Sequence, residues 1–315
     1  MLMPSTAAEL ASIGVALESA ACALCGASAA TPVLVARDRT CGVPGNYQVV
    51  RCNECGLLRT DPRPTRDTIR RYYPPEYVAY HRQVNTSPRP ASGWRDRRVA
   101  VMPPTAPPGR LLEVGTSFGA FLHQCKRAGW DVTGVEFDER AASRAAELTG
   151  ARIHAASIDS VEFPPGTFDV ICSWQVVEHL HDPVKTLRRC FEWLAPGGWL
   201  TIAVPDAGSL DFRLFGAAWY PLQVPRHLYH FSPTTCRAMF ESAGFTDLRL
   251  VRPRTVYTAL LSVTGILEER GVVPPGGGPA ILGTLPMRVL NGAAGYIAAP
   301  LGLTGTFTML GRRPV

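Results

Sequence analysis

The chain has 315 residues, 46% of them hydrophobic and 18% charged, with 32 Lys and Arg against 26 Asp and Glu for a net charge of +6. That composition excludes global disorder, collagen and a simple coiled coil, and the length suggests one large domain with a small one beside it. A modest positive charge permits an anionic substrate, a nucleic acid or a membrane surface and demands none of them.

Nine cysteines are too few for a disulfide scaffold, and an odd number argues against complete pairing. Residues 1–21 carry Glu9 and Glu18 without a basic opening or a long apolar run, so no signal peptide is expected. A reducing cytoplasmic setting is then the default, and clustered cysteines are tested first as metal ligands. Residues 1–61 divide into a short helical lead and a zinc ribbon-like module. Cys22-Ala-Leu-Cys25-Gly and Cys52-Asn-Glu-Cys55-Gly are two knuckles with 26 residues between them. Each turns tightly, aims two thiolates inward and uses glycine to relieve the turn. Four thiolates make a closed structural zinc site. A hairpin of Thr31–Val35 and Tyr47–Arg51 would fill the spacer, which also holds Cys41. So small a piece has little core of its own, and zinc would supply folding free energy on the order of 10 kcal/mol.

Residues 62–109 form a Pro-, Arg- and Tyr-rich linker or cap ending in MPPTAPPGR. From 110 onward strand-like and helix-like segments alternate, as in a parallel sheet with crossover helices. Arg110–Val114 is an apolar strand stopped by Gly115. Phe118–Ala128 has helical spacing and a stop at Gly129. Val132–Phe137 is the second strand, and Asp138 suits the N-cap of a helix running through Leu148. Ala151–His154 and Phe168–Trp174 follow, Trp174 reading as core. Asp182-Pro183 opens a helix to about Leu194, with His179 and His181 shaping the loop before it rather than holding a metal. Pro196-Gly197-Gly198 turns into the strand Trp199–Val204. Ser232-Pro233 opens a helix closed at Gly244, ahead of the strand Phe245–Arg252. Residues 253–303 are an apolar, Gly- and Pro-interrupted helical insertion that packs on the core or grazes a membrane. Residues 304–310 form the last strand.

The stretch LLEVGTSFGAFL at 111–122 is the most informative. A strand ends at Gly115, the chain turns through Ser117 to Gly119, and a helix begins. Glycine allows positive φ and close approach of a ligand, and the helix N-terminus offers free N–H groups to a carboxylate-bearing ligand. Glu136 ends the next strand, where it can accept hydrogen bonds from ribose hydroxyls. Ser117 stands where a diphosphate would press for glycine, whereas an amino-acid tail tolerates it.

LLEVGTSFGAFL, GVEFDERAA, AASIDSVEFPPGTFDVICSWQVVEHLHDP and LAPGGWLTIAVP, in this order, resemble the class I S-adenosylmethionine-dependent methyltransferases. The resemblance covers roughly residues 110–250. It implies an α/β, Rossmann-like seven-stranded sheet with an antiparallel final strand, and S-adenosyl-L-methionine lying across the carboxyl ends of the strands. Carried over by position, Glu113 and Gly115 fall beside the methionine amino group. Ser117 and Gly119 belong to the turn, and Glu136 is the ribose-binding acid. Ser157 and Ile158 flank adenine, and Gln175 falls where the cofactor tail and the acceptor meet.

Acceptor residues are expected in FGAAWYPLQVPRHLYHFSP, 215–233. A neutral imidazole suits a general base near pH 7, with His227 the first choice and His230 the second. Together with the zinc knuckles and the tyrosines Tyr72, Tyr73, Tyr77 and Tyr80, this segment resembles sugar C-methyltransferases and ubiquinone-pathway-like O-methyltransferases. That resemblance implies a small-molecule acceptor, a base role for His227 and orienting roles for Tyr77 and Tyr80. An RNA substrate is a competing reading, resting on Arg59, Arg63, Arg66, Arg70 and Arg71 near the zinc module. The interleaved Asp61, Asp67 and Glu76 favour a solvated face instead, and no nucleic acid is expected. A non-catalytic cofactor-binding scaffold is a third reading, resting on Ser117 and the lack of an acid at 157.

Overall fold

The computed structural model describes residues 3–74, 97–103, 108–274 and 277–315. Tyr77, Tyr80 and His81 lie outside these described residues. The elements used below run in chain order. Helix α1 (Ala7–Ser12) precedes strands β1 (Ala30–Arg37), β2 (Asn46–Cys52) and β3 (Leu58–Thr60). Then come β4 (Arg110–Val114), α2 (Ala120–Arg127), β5 (Asp131–Glu136), α3 (Glu139–Thr149), β6 (Arg152–Ala155) and β7 (Phe168–Trp174). Helix α4 (Pro183–Trp193), β8 (Leu194–Pro205), α5 (Leu210–Phe215), β9 (Tyr229–His230), α6 (Pro233–Ser242) and β10 (Thr246–Val251) follow. The chain ends with α7 (Tyr257–Glu269), α8 (Gly277–Leu282), α9 (Leu285–Ala298) and β11 (Thr306–Arg312).

The chain groups into two compact units built from non-contiguous stretches. The first holds Met1–Pro74, Val204–Cys236 and Leu250–Thr308, and the second Pro75–Ala203, Arg237–Arg249 and Met309–Val315. The seven-stranded sheet has the order β10-β11-β8-β7-β4-β5-β6. Pairings β8/β7, β7/β4, β4/β5 and β5/β6 are parallel. Strand order therefore reverses beside β4, and in an open α/β sheet the crevice at such a reversal is where ligands bind.

Parallel strands covered on both faces read as continuous apolar runs, and β7 is buried at six of its seven positions. Phe121, Leu122 and Cys125 of α2 pack with Leu111, Val132, Val170, Cys172 and Trp174. Trp174 is a core residue, its ring edge-on to Phe121 with centroids 5.2 Å apart. Each such large side chain contributes roughly 1.5–3 kcal/mol by leaving water.

Two details depart from the sequence expectation. Helix α2 starts at Ala120 rather than Phe118, because Ser117 (φ 48°) and Gly119 (φ 79°) are left-handed and belong to the turn. Pro196-Gly197-Gly198 does not separate strand from helix. It is a bulge within one long strand, where the pairing jumps from Leu194↔Phe168 to Trp199↔Val170.

In the first unit β1, β2 and β3 form an antiparallel meander, and β9 adds to β3 with Tyr229 opposite Arg59 and His230 opposite Leu58. The knuckle module thus shares its sheet with the segment expected to carry acceptor residues. A buried ion pair fastens the same segment. The guanidinium of Arg226 meets both carboxylate oxygens of Asp38 at 2.8 and 2.7 Å, with both side chains fully buried. Asp38 also accepts from the Thr40 and Cys41 amides, and Arg226 donates to the Tyr72 carbonyl. Removing one partner of such a pair leaves a buried charge and costs roughly 3–5 kcal/mol.

Residues 253–303 carry helices α7, α8 and α9. Among the described residues no helix is long and apolar enough to cross a membrane. Helix α9 exposes Leu285, Val289 and Ile297.

Candidate active site

Strand β4 delivers the chain to Gly115, whose φ is +79°. A Cβ there would lie 2.3 Å from Cγ2 of Val176, so glycine is required on both conformational and steric grounds. At Gly119 a Cβ would come within 2.9 Å of the Ala145 Cα, so this glycine sets the close approach of the turn to α3. No side chain caps the N-terminus of α2, and its first-turn amides have no partner within the helix.

Glu136 closes the turn from the next strand. Its Oε2 accepts from the Ser117 amide at 2.7 Å and its Oε1 from the Asp138 amide at 3.0 Å. Burial raises its pKa, opposed by those backbone donors. The Phe137 amide is a third backbone donor to the carboxylate, so of its about four lone-pair sites about one remains for a ligand. Asp138 then caps α3 by accepting from the Ala141 amide at 2.8 Å, as expected. Gly115, Ser117, Gly119 and Glu136 are therefore one connected turn.

The other cofactor candidates lie at the same carboxyl edge of the sheet. Glu113 is fully buried on β4, with Arg98 Nη1 3.5 Å from Oε1. Ser157 follows β6 and spends its hydroxyl on the Asp159 amide. Ile158 is buried, and its carbonyl accepts from Arg189 at 2.8 Å. Gln175 follows β7, exposed and left-handed at φ 57°, its amide held 2.8 Å from the Ala203 carbonyl. Ser117 and Gln175 are both non-glycine residues in a sparsely populated backbone region, a kind of strain that clusters at ligand sites.

Sequence reasoning passed over Glu178. It is fully buried, and neither carboxylate oxygen has a hydrogen-bond partner among the described residues. Burial pushes its pKa up to about 8. An acid three residues past Gln175, directly after Val176-Val177, was the available signal. The folded state holds this proton more tightly than the unfolded chain, whose glutamates titrate near about 4.3. Its contribution to stability is therefore full at low pH and falls as pH rises toward about 8. Glu178→Gln is expected to flatten the fall in melting temperature between about pH 4.5 and 8, the span from the unfolded to the folded titration. Parallel melting curves for wild type and variant across that range would contradict it.

In the first unit, the four thiols of Cys22, Cys25, Cys52 and Cys55 lie within 4.8 Å of one another. Cys22 and Cys55 sulfurs are 3.4 Å apart, and Cys25 and Cys52 sulfurs 3.5 Å. A tetrahedral zinc with 2.3 Å bonds needs sulfur–sulfur edges of about 3.8 Å, so the cluster fits that ion. Both knuckles fold alike. Gly26 (φ 77°) donates to the Cys22 carbonyl and Gly56 (φ 74°) to the Cys52 carbonyl. Burial works against ionisation, but at Cys52 the Cys55 and Glu54 amides outweigh it and bring the thiol down to about 7. Cys41 is not in the cluster.

His227 and His230 are both buried in this unit. Thr60 of β3 links them, donating its hydroxyl to the His227 carbonyl at 2.8 Å and lying 3.3 Å from His230 Nε2. With that hydroxyl hydrogen already used, Nε2 carries the proton of a neutral His230. Burial drops the His230 pKa to about 3, which makes it a poor proton acceptor at neutral pH.

A parallel-centred seven-stranded sheet, a glycine turn into a helix and an acid ending the neighbouring strand define the class I methyltransferase fold. The family described as "Methyltransferase domain" matches residues 45–250. The chain belongs to this family, the S-adenosylmethionine-dependent class I methyltransferases.

Among curated proteins the chain is similar to a ubiquinone biosynthesis O-methyltransferase of Bordetella avium, 28% identical over 43% of this chain and 61% of that protein. It is similar to another of the same name from Caulobacter sp., 38% identical over 30% of this chain and 40% of that protein. The match therefore spans less than two thirds of these relatives. A solved structure of Haemonchus contortus phosphoethanolamine N-methyltransferase 2, in complex with S-adenosyl-L-methionine, is 20% identical. It aligns over 82% of this chain and 63% of its own with a TM-score of 0.52, a likeness of fold.

Proposed function

We propose that this chain methylates a small-molecule acceptor, with S-adenosyl-L-methionine held at Gly115, Ser117, Gly119 and Glu136. The observation that carries the reading is the clasp between Glu136 and the Ser117 amide, 2.7 Å long, at the point where strand order reverses. Bound S-adenosylmethionine supplies an electrophilic methyl group on a sulfonium.

The protein's part is placement. Gly115 admits the cofactor's amino-acid end against the backbone, the open amides of α2 suit its carboxylate, and Glu136 fixes the ribose. Glu113, Ser157, Ile158 and Gln175 fit the cofactor's outer contacts by position. Holding the acceptor atom at near-attack distance supplies much of the acceleration. Where the acceptor must lose a proton as its bond to carbon forms, His227 is the favoured base, since His230 is too weakly basic.

The relatives' names support a quinol-type acceptor, and the knuckle module supports a nucleotide-linked sugar or polysaccharide precursor. Cys22, Cys25, Cys52 and Cys55 hold a structural zinc, with every ligand position filled by protein. Arg59 is buried against Asp61 and Arg63 pairs with Glu18, which supports a small molecule over RNA. Incubation with labelled S-adenosylmethionine and a panel of quinol precursors, nucleotide sugars and RNA tests the reading. Label is expected in one small-molecule class. Label in RNA alone would overturn the choice of substrate.

A further inference from the structure

The first unit contains a cavity of about 150 Å³, roughly ten times the volume one water needs. Its lining includes Arg51, Arg213, His230, Ser232, Gly56 and Gly208. Arg51 comes from β2, beside the second knuckle, and Gly56 from the knuckle itself. Gly208 and Arg213 come from the turn and helix after β8.

Two features give this cavity a chemistry. Arg51 and Arg213 are exposed and make no ion pair among the described residues. Two acids beside lining residues in sequence, Asp206 and Asp211, are engaged elsewhere. Asp206 pairs with Arg252 at 2.7 Å and accepts from the Gly208 amide, and Asp211 accepts from Thr258 at 2.8 Å. Two unpaired guanidinium groups with no acid in the wall favour a phosphoryl group, which arginine's planar fork matches. The second feature is His230, 3% exposed and yet part of the wall. Its Nε2 is committed to Thr60. With Nε2 on Thr60, Nδ1 is the ring nitrogen left to accept from a ligand hydroxyl.

We propose that this cavity binds the phosphorylated, hydroxyl-bearing part of the acceptor, with the phosphoryl group on Arg51 and Arg213 and a hydroxyl on His230. The inference rests on the methyltransferase reading for the word acceptor; the site itself stands on the cavity. It separates a phosphorylated sugar from an uncharged quinol, and it assigns His230 to orientation rather than to proton removal. The knuckle then shapes a binding wall through Arg51 and Gly56.

The test is calorimetric titration of the intact protein with pyrophosphate, glucose 1-phosphate and uncharged methyl glucoside. Pyrophosphate and glucose 1-phosphate are expected to bind saturably, and methyl glucoside not to bind. R51Q/R213Q is expected to weaken both by about a hundredfold, each charged contact being worth about tenfold. His230→Asn is expected to weaken glucose 1-phosphate but not pyrophosphate. Wild type that binds neither anion saturably, or equal affinities in R51Q/R213Q, would overturn the proposal. S-adenosylmethionine titrated into the same samples tells the two readings apart. Its binding is unchanged in R51Q/R213Q, and its failure to bind wild type would sink the methyltransferase reading whatever the anions do.

Discussion

Replacing Glu136 with alanine is expected to abolish measurable S-adenosylmethionine binding while leaving the fold intact. The carboxylate already holds the Ser117, Phe137 and Asp138 amides and has about one lone-pair site left for the ribose. A hydrogen bond to a charged group contributes about 1.5–3 kcal/mol, so losing the ribose contact alone weakens binding by at least about tenfold, and losing the backbone contacts that shape the turn adds to it. The alanine also releases the Ser117 amide, which loosens a turn already strained at φ 48°. Glu136→Gln separates the two effects. Its amide oxygen can still accept from one backbone donor, so the turn survives better and affinity falls less, by about tenfold. Calorimetry reports affinity and circular dichroism reports the fold. Wild-type affinity in Glu136→Ala would remove Glu136 from the site.

The second large effect concerns the cysteine cluster. Wild type prepared without chelator is expected to carry about one zinc per chain, and C22S/C55S none. Folding free energy of on the order of 10 kcal/mol is tied to such an ion, far more than the meander β1–β3 can recover from its own core. The melting transition of the first unit should fall steeply. Strand β9 pairs with β3, so the segment carrying His227 and His230 should loosen with it, seen as faster amide exchange at Tyr229 and His230. Residues of the Gly115–Glu136 turn belong to the second unit and should exchange as before. Metal-free wild type, or C22S/C55S with an unchanged melting curve, would show that the thiols are only buried neighbours.

How much of this was legible in the sequence differs by element. The glycine turn, the acid at 136 and the paired knuckles were readable because each depends on local chemistry: a backbone angle, a strand end, a thiolate pair. The strands were readable because parallel strands buried on both faces leave unbroken apolar runs. Three features were not. Helix α2 begins late because Ser117 adopts a left-handed conformation that its residue type does not announce. Strand β9 joins the knuckle sheet across a sequence separation of more than 160 residues, and only two residues take part. Glu178 gave no clear signal among the polar residues of Gln175–Asp182, since its burial is set by packing. The engagement of His230 Nε2 by Thr60, which sets it apart from His227, is likewise not revealed by spacing.

The most direct test is a calorimetric titration of the intact wild-type chain with S-adenosylmethionine and, separately, S-adenosylhomocysteine. Both are expected to bind at one site per chain, each displacing the other. Absence of heat with either compound, in protein shown to be folded, would contradict the assignment of the Gly115–Gly119 turn and Glu136 as a nucleoside-binding pocket.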